Sequence, residues 1–262
     1  MHDDFLDTGT ALQAAAAADN FEAMQILLDE GADPNAQGGF YGNALQAAST
    51  KGNTEAMRLL LDEGADSHAQ GGYYGNALQA AAHSGNIEAV RLLLDKGVNV
   101  NTRGGWYSNV LQAAAYHGNV EVMRLFLSKG ADVHAQGGEY GNALQAAALN
   151  GNVKAMRFLL DKGVDINAQG GRYGTALQAA LADLKDDYLT KNELYTAEVL
   201  LDHGADVTAY VPESMYGDAL SAAEDIWENN EIKLERFMKL LEAKGWTGDR
   251  LAAAMRHPHA NC

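Results

Sequence analysis

The sequence predicts an all-α solenoid of about seven helix–turn–helix–loop units, and three observations carry that prediction. The motif ALQAA, or a near copy, places its leucine at Leu12, Leu45, Leu78, Leu111, Leu144 and Leu177, each 33 residues after the last; a seventh copy, ALSAA, places Leu220 43 residues after Leu177. A second segment in each copy, such as IEAVRLLLDK, carries Ile87, Val90, Leu93 and Leu94 at helical spacing. Glycine and asparagine recur at fixed places between the two. A unit of this size cannot bury its own apolar face, whereas stacked copies can.

Each element of the unit has a local cause. An N-cap precedes every first helix (Thr10, Asn43, Asn76, Asn109, Asn142, Thr175 and Asp218), where a side-chain oxygen satisfies an orphan N–H of the first turn. The first helix is alanine-rich and lets neighbours approach closely. Gly-Asn pairs (Gly52-Asn53, Gly85-Asn86, Gly118-Asn119, Gly151-Asn152) turn the chain, and the asparagine caps the second helix. Gly97 and its equivalents end that helix as left-handed C-caps. A loop reading AQGGxYG leads into the next unit. The repeats fall roughly at 8–40, 41–73, 74–106, 107–139, 140–172, 173–215 and 216–247, with a C-terminal cap over 248–262 in one domain. The sixth repeat gains eight residues around LADLKDDYLTKNEL and the seventh gains six around EDIWENNEIKL. These insertions are expected to lengthen helices or turns, to wall one end of a groove, or to strengthen the cap. The first unit shows no polar capping pattern of its own, and its helix, ALQAAAAA, is expected to leave an apolar side open.

The period and the pattern G-N-A-L-Q-A-A…G-N-x-E-A-M-R-L-L-L-D-x-G-A-D-V-N-A resemble the ankyrin repeat over about residues 8–245. The family's T-P-L-H becomes N-A-L-Q or T-A-L-Q. Gln46, Gln79, Gln112, Gln145 and Gln178 take the place of its histidine, and glutamine can likewise tie one unit to the next loop. The variant is similar to arrays of fungal NLR-type proteins. The resemblance implies a protein–protein interaction module whose hairpin tips and first-helix ends line a concave face.

Composition narrows the partner. Apolar residues make up 47 % of the 262-residue chain, enough for a sizeable core, and 3 prolines against 28 glycines argue against a disordered linker. The formal charge of −16 repels phosphate backbones and anionic membrane surfaces, so no nucleic acid and no membrane are expected, and a neutral or basic protein or peptide is favoured. The single cysteine, Cys262, fits a reducing compartment. MHDDFLDTG has no apolar run, and no stretch approaches the ~20 residues that span a bilayer. The expectation is a cytoplasmic or nuclear monomer, with association through the N-terminal end as an alternative.

Several features that look like sites read better as structure. Met24, Met57, Met123 and Met156, with Val90 in the same slot, form a core stripe. Arg58, Arg91 and Arg124 follow Glu55, Glu88 and Glu121 by three residues, as exposed ion pairs worth ~0.2–0.5 kcal/mol each. His68 and His134 fill the slot of Asn35, Asn101 and Asn167 and are expected to be loop hydrogen-bonders. RHPHANC matches no zinc spacing, DLKDDYLTKNEL lacks the ligand alternation of a calcium loop, and no P-loop, G-x-S-x-G or cysteine nucleophile occurs. No cofactor, no metal site and no catalytic residue are expected.

What varies within the frame points to contact. The tip slot runs Phe40, Tyr73, Trp106, Glu139, Arg172; the slots after ALQAA run Thr50, His83, Tyr116, Leu149 and Lys51, Ser84, His117, Asn150. By the resemblance these slots face a partner, and the central repeats bring Tyr73, His83, Trp106, Tyr116 and His117 together as anchors, flanked by Phe40, Glu139, Leu149 and Arg172. The tyrosines that do not vary, Tyr41, Tyr74, Tyr107, Tyr140 and Tyr173, are expected to do the structural packing. Two other readings stand: a small-molecule site or enzyme using the Trp106, Tyr116, His83 and His117 pocket with a histidine as base, and a structural spacer.

Overall fold

The computed structural model describes residues 9–182, 194–226 and 231–246. Contacts divide the chain into two units, Met1–Glu139 and Tyr140–Cys262. The first holds four helix pairs: α1 (Ala11–Ala17) with α2 (Phe21–Asp29), α3 (Ala44–Lys51) with α4 (Thr54–Asp62), α5 (Ala77–Ser84) with α6 (Ile87–Asp95), and α7 (Val110–Tyr116) with α8 (Val120–Ser128). Among the described residues the second holds three: α9 (Ala143–Leu149) with α10 (Val153–Asp161), α11 (Ala176–Ala182) with α12 (Tyr195–Asp202), and α13 (Ala219–Ile226) with α14 (Glu231–Ala243). In the first unit α1, α3, α5 and α7 pack in succession, and so do α2, α4, α6 and α8; in the second, α9, α11 and α13 stack in the same way. Each unit is thus an ankyrin-type stack, as the repeat requires.

The local rules hold in detail. Thr10, Asn43, Asn76, Asn109, Asn142 and Thr175 accept the backbone N–H of the glutamine three residues on, and Asp218 accepts those of Leu220 and Ser221. Asn53 and Asn86 cap α4 and α6 as expected, but Asn119 and Asn152 make no side-chain cap to α8 and α10, and Asn119 turns its amide back to the Ala82 carbonyl. Gly31, Gly64, Gly97 and Gly130 end the second helices with φ between 82° and 87°. Ala47, Ala48, Ala80, Ala81, Ala113 and Ala114 are fully buried, as are Met24, Met57, Met123, Met156 and Val90.

Two kinds of tie link successive repeats. Gln13 donates its amide to the carbonyls of Ala36 and Gly42, Gln112 to that of Gly137, and Gln145 to those of Gly170 and Gly174. Asn35 donates to the Gly64 carbonyl and accepts the Asp66 N–H; Asn101 does the same with Gly130 and Asp132, and Asn167 with Gly204 and Asp206. His68 and His134 depart from the expectation of side-chain loop bonding. Their backbone N–H groups bond Asp66 and Asp132, and their side chains stay exposed. An amide offers donor and acceptor side by side on a short stem, which an imidazole does not. Of the three expected ion pairs only Glu121–Arg124 closes among the described residues, at 3.7 Å.

Ile26 of α2 is 57 % exposed, whereas in the same slot Leu59 is half-buried and Leu92 and Leu125 are buried. Helix α14 has 13 residues against 9 in α4, α6, α8 and α10, so the seventh repeat's extra length extends its second helix. The sixth-repeat insertion over 183–193, the link over 227–230 and the C-terminal cap and tail lie outside the described residues.

Candidate functional site

The hairpin tips of the first unit nest backbone to backbone. The tip strands β1 (Gln70–Gly71) and β2 (Gly75–Asn76) pair antiparallel, and isolated bridges at Gly38–Gly42 and Gly104–Ser108 repeat the geometry. The second glycine of each tip has a positive φ, 62° at Gly72 and 60° at Gly105. A Cβ on Gly105 would lie 2.3 Å from the Tyr74 carbonyl carbon, and one on Gly72 would lie 2.4 Å from that of Tyr41. Glycine is therefore required twice over, for conformation and for contact. The nesting lets Tyr73 N–H donate to the Phe40 carbonyl and Trp106 N–H to the Tyr73 carbonyl, each at 2.8 Å.

That backbone ladder puts the variable tip residues in register. Phe40 stacks on Tyr73 at 4.8 Å between centroids and 22° between planes, and Tyr73 on Trp106 at 5.5 Å and 17°. A second tier lies beneath. Tyr74 and Tyr107 are buried and stack at 6.5 Å and 18°, and Tyr74 meets Phe40 and Tyr73 edge-on. The constant tyrosines do not do the packing alone: Trp106 is part of the stack, and Tyr116 packs on Tyr107 at 5.7 Å. Planar rings offered at one-repeat spacing stack whatever their chemical identity.

The inner tyrosines also reach the two histidines, which lie on the last turn of α5 and at the C-cap of α7. Tyr74 Oη stands 3.4 Å from His83 Nε2, His83 Nδ1 3.1 Å from Tyr107 Oη, and Tyr107 Oη 3.0 Å from His117 Nε2. Which partner donates in each contact follows from the histidine tautomers, and the contacts join Tyr74, His83, Tyr107 and His117 in one chain. The His83 and His117 rings sit 4.0 Å apart at 78°. Burial, and then the neighbouring His117, lower the His83 pKa to about 4; burial lowers that of His117 as well. Both are neutral at physiological pH. Burial, and then Tyr116 and Glu139, push the Tyr73 phenol up to about 12. Sequence alone supplied no partner for either histidine, because the tyrosines that hold them are constant and read as frame.

The structure thus gathers Phe40, Tyr73, His83, Trp106, Tyr116 and His117 into one cluster, with Glu139 half-buried in the same unit. In the second unit Leu149 is buried. Arg172 is exposed, and its carbonyl accepts the Met215 N–H at 2.8 Å. A separate cavity of about 250 Å³ is lined by Val100, Arg103, Asn109, Val110, Leu111 and Asp132 among others, and by none of the clustered rings. Beside it Ser108 holds φ 66° in the slot that Gly42 and Gly75 fill elsewhere, a departure that the sequence reading passed over.

Comparison with known proteins agrees with this geometry. No curated protein matches the chain. Among solved structures, the human ASB11 ankyrin repeat domain superposes with a TM-score of 0.66 at 20 % identity, over 90 % of this chain and 98 % of that one, a likeness of fold. The family model for ankyrin repeats (3 copies) matches residues 12–104, 45–137 and 110–210. With the caps, nested tips and inter-repeat glutamines already in place, this chain belongs to the ankyrin-repeat family.

Proposed function

We propose that this chain is a non-catalytic interaction module that binds a neutral or basic protein or peptide through the face that ankyrin arrays present as concave. Ankyrin repeats in general are protein–protein interaction modules. The observation that carries the reading here is Trp106, 40 % exposed within a rigid ring stack, with Tyr116 packed on Tyr107 in the same cluster. Aromatic rings held rigid before contact lose little entropy on binding and make strong anchors. The charge of −16 favours a basic partner over an acidic one. Among the described residues no helix is long and apolar enough to cross a membrane.

The enzyme reading draws less support. A histidine whose pKa is about 4 is a poor general base near neutrality, and both ring nitrogens of His83 are engaged by tyrosine hydroxyls. The rings also line no part of the cavity described above.

The test is affinity for a captured partner, measured with wild type and with Trp106→Ala plus Tyr116→Ala, beside a melting curve for each. The pair is expected to cost the complex ~2 kcal/mol or more. Because Trp106 is stacked, it also costs the fold ~1–2 kcal/mol, so binding is compared at a temperature where both proteins are folded. Unchanged affinity in the folded variant sinks the proposal.

A further inference from the structure

The slot that ends the first helices runs Lys51, Ser84, His117 and Asn150, and the residue after each is glycine. Only the last of the four carries a carboxamide, and Asn150–Gly151 is the single Asn-Gly step in the chain. Attack of the Gly151 nitrogen on Asn150 Cγ would close a five-membered ring, and glycine places no Cβ in the way of that closure. The fold holds the reaction off. Asn150 is the exposed C-cap of α9, with φ −104° and ψ 21°. That ψ turns the Gly151 nitrogen to the far side of the Cα–C bond from Cβ, so Cγ is out of its reach. Gly151 N–H also donates to the Ala148 carbonyl at 3.2 Å, and Asn152 N–H to that of Ala147 at 2.9 Å. The turn so held lacks a tie that two of its counterparts have. Asn53 and Asn86 cap α4 and α6 with their side chains, and Asn152 makes no such cap to α10.

We propose that Asn150–Gly151 is a gated self-modification site, at which the chain converts Asn150 to isoaspartate when the α9–α10 turn opens. The Gly151 nitrogen gives its proton to hydroxide and bonds to Asn150 Cγ. The Cγ–Nδ2 bond breaks, and ammonia leaves with a proton taken from water. Water then adds to one of the two carbonyls of the cyclic imide. Cleavage between Gly151 N and Cγ gives aspartate; cleavage between Gly151 N and the main-chain carbonyl carbon gives isoaspartate, with the backbone running through Cβ and Cγ. Water is the only co-reactant, and nothing is oxidised or reduced. Either product places a new carboxylate at the C-terminal end of α9, where the helix dipole disfavours it. Isoaspartate also lengthens the backbone of a turn whose hydrogen bonds depend on its register. Both effects oppose reclosure, so the change runs one way. The chemistry needs no partner and stands apart from the interaction reading, although Asn150 occupies a slot that the sequence assigns to contact.

The experiment follows the full chain in neutral buffer at physiological temperature, folded and in guanidinium chloride. Aliquots are digested and mapped by mass spectrometry, where conversion adds about one mass unit, and electron-transfer fragmentation tells isoaspartate from aspartate. Modification through a rare open state proceeds in proportion to the population of that state. The denatured chain is expected to convert Asn150 ahead of every other asparagine, and the folded chain at least about tenfold more slowly. Ala148→Gly weakens the last turn of α9 and keeps its carbonyl. It should speed conversion severalfold in the folded chain and leave the denatured rate unmoved. Should that variant not fold, the ratio of folded to denatured rates in wild type decides alone. Equal rates in folded and denatured wild type overturn the gate, as does a folded Ala148→Gly chain that converts no faster than wild type. Faster conversion at any other asparagine, or none at Asn150 in the denatured chain, overturns the site.

Discussion

Lowering the pH should load the tyrosine–histidine relay in a way that can be measured at one residue. In the folded chain burial and His117 lower the His83 pKa from 6.5 to about 4. Above pH 6.5 both folded and unfolded chains hold a neutral imidazole, so His83 contributes no pH dependence. Between pH 6.5 and 4 the unfolded chain takes up a proton that the folded chain refuses, and stability falls with pH throughout that window. The ceiling is about 2.5 kcal/mol at pH 4.5, and partial solvent access to the ring brings the expected loss to ~1–2 kcal/mol. A charged His83 can donate to both Tyr74 and Tyr107, whereas a second proton places two cations on rings 4.0 Å apart. The assay is a proton NMR titration of the His83 ring, with urea melts at pH 7 and 4.5 for wild type and His83→Gln. The glutamine variant removes the titration and keeps hydrogen-bonding capacity, so the titration of the many carboxylates cancels in the difference. Titration of His83 near 6.5, or the same pH-dependent loss in both proteins, would refute the buried relay.

Three further substitutions probe the frame. Ala114, fully buried on α7, has no room to grow, and Ala114→Leu should destabilise by ~1–3 kcal/mol in a denaturant melt. Gly97→Ala and Gly105→Ala separate conformation from contact. Gly97 has φ 82° with open space around it, so it should cost ~1 kcal/mol; Gly105 faces backbone at 2.3 Å, so it should cost several kcal/mol and disturb the tip. Equal melting of the two glycine variants would show that the tips do not nest.

Much of this was legible because it repeats. A cap residue before a glutamine, a glycine after a helix and a methionine in one slot are local signals, and several copies of each leave little ambiguity. The ring ladder was hidden by its own variability. Phe40, Tyr73 and Trp106 read as a changing slot, yet a stack needs only planarity and spacing, and the spacing comes from glycine tips whose nesting is a three-dimensional fact. The relay was hidden for the opposite reason. Tyr74 and Tyr107 never change, so they read as frame, and His83 and His117 belong to different slots of the repeat. They meet because one ends the last turn of α5 and the other caps α7, a residue further on, which brings the two rings together across the repeat junction.

The asparagine ties give the first unit an uneven mechanics. Asn35 fastens the first repeat to the second and Asn101 the third to the fourth, while His68, between them, makes no such side-chain bond. Pulled along its length, such a stack behaves as springs of unequal stiffness, with the junction of the second and third repeats the most compliant at its loop edge. The same junction is bridged at the tip edge by the Tyr73–Trp106 stack and by the Trp106 N–H to Tyr73 carbonyl hydrogen bond. Under load it is expected to open about the aromatic edge, like a book about its spine. Curvature can change there while the stacked rings hold their spacing.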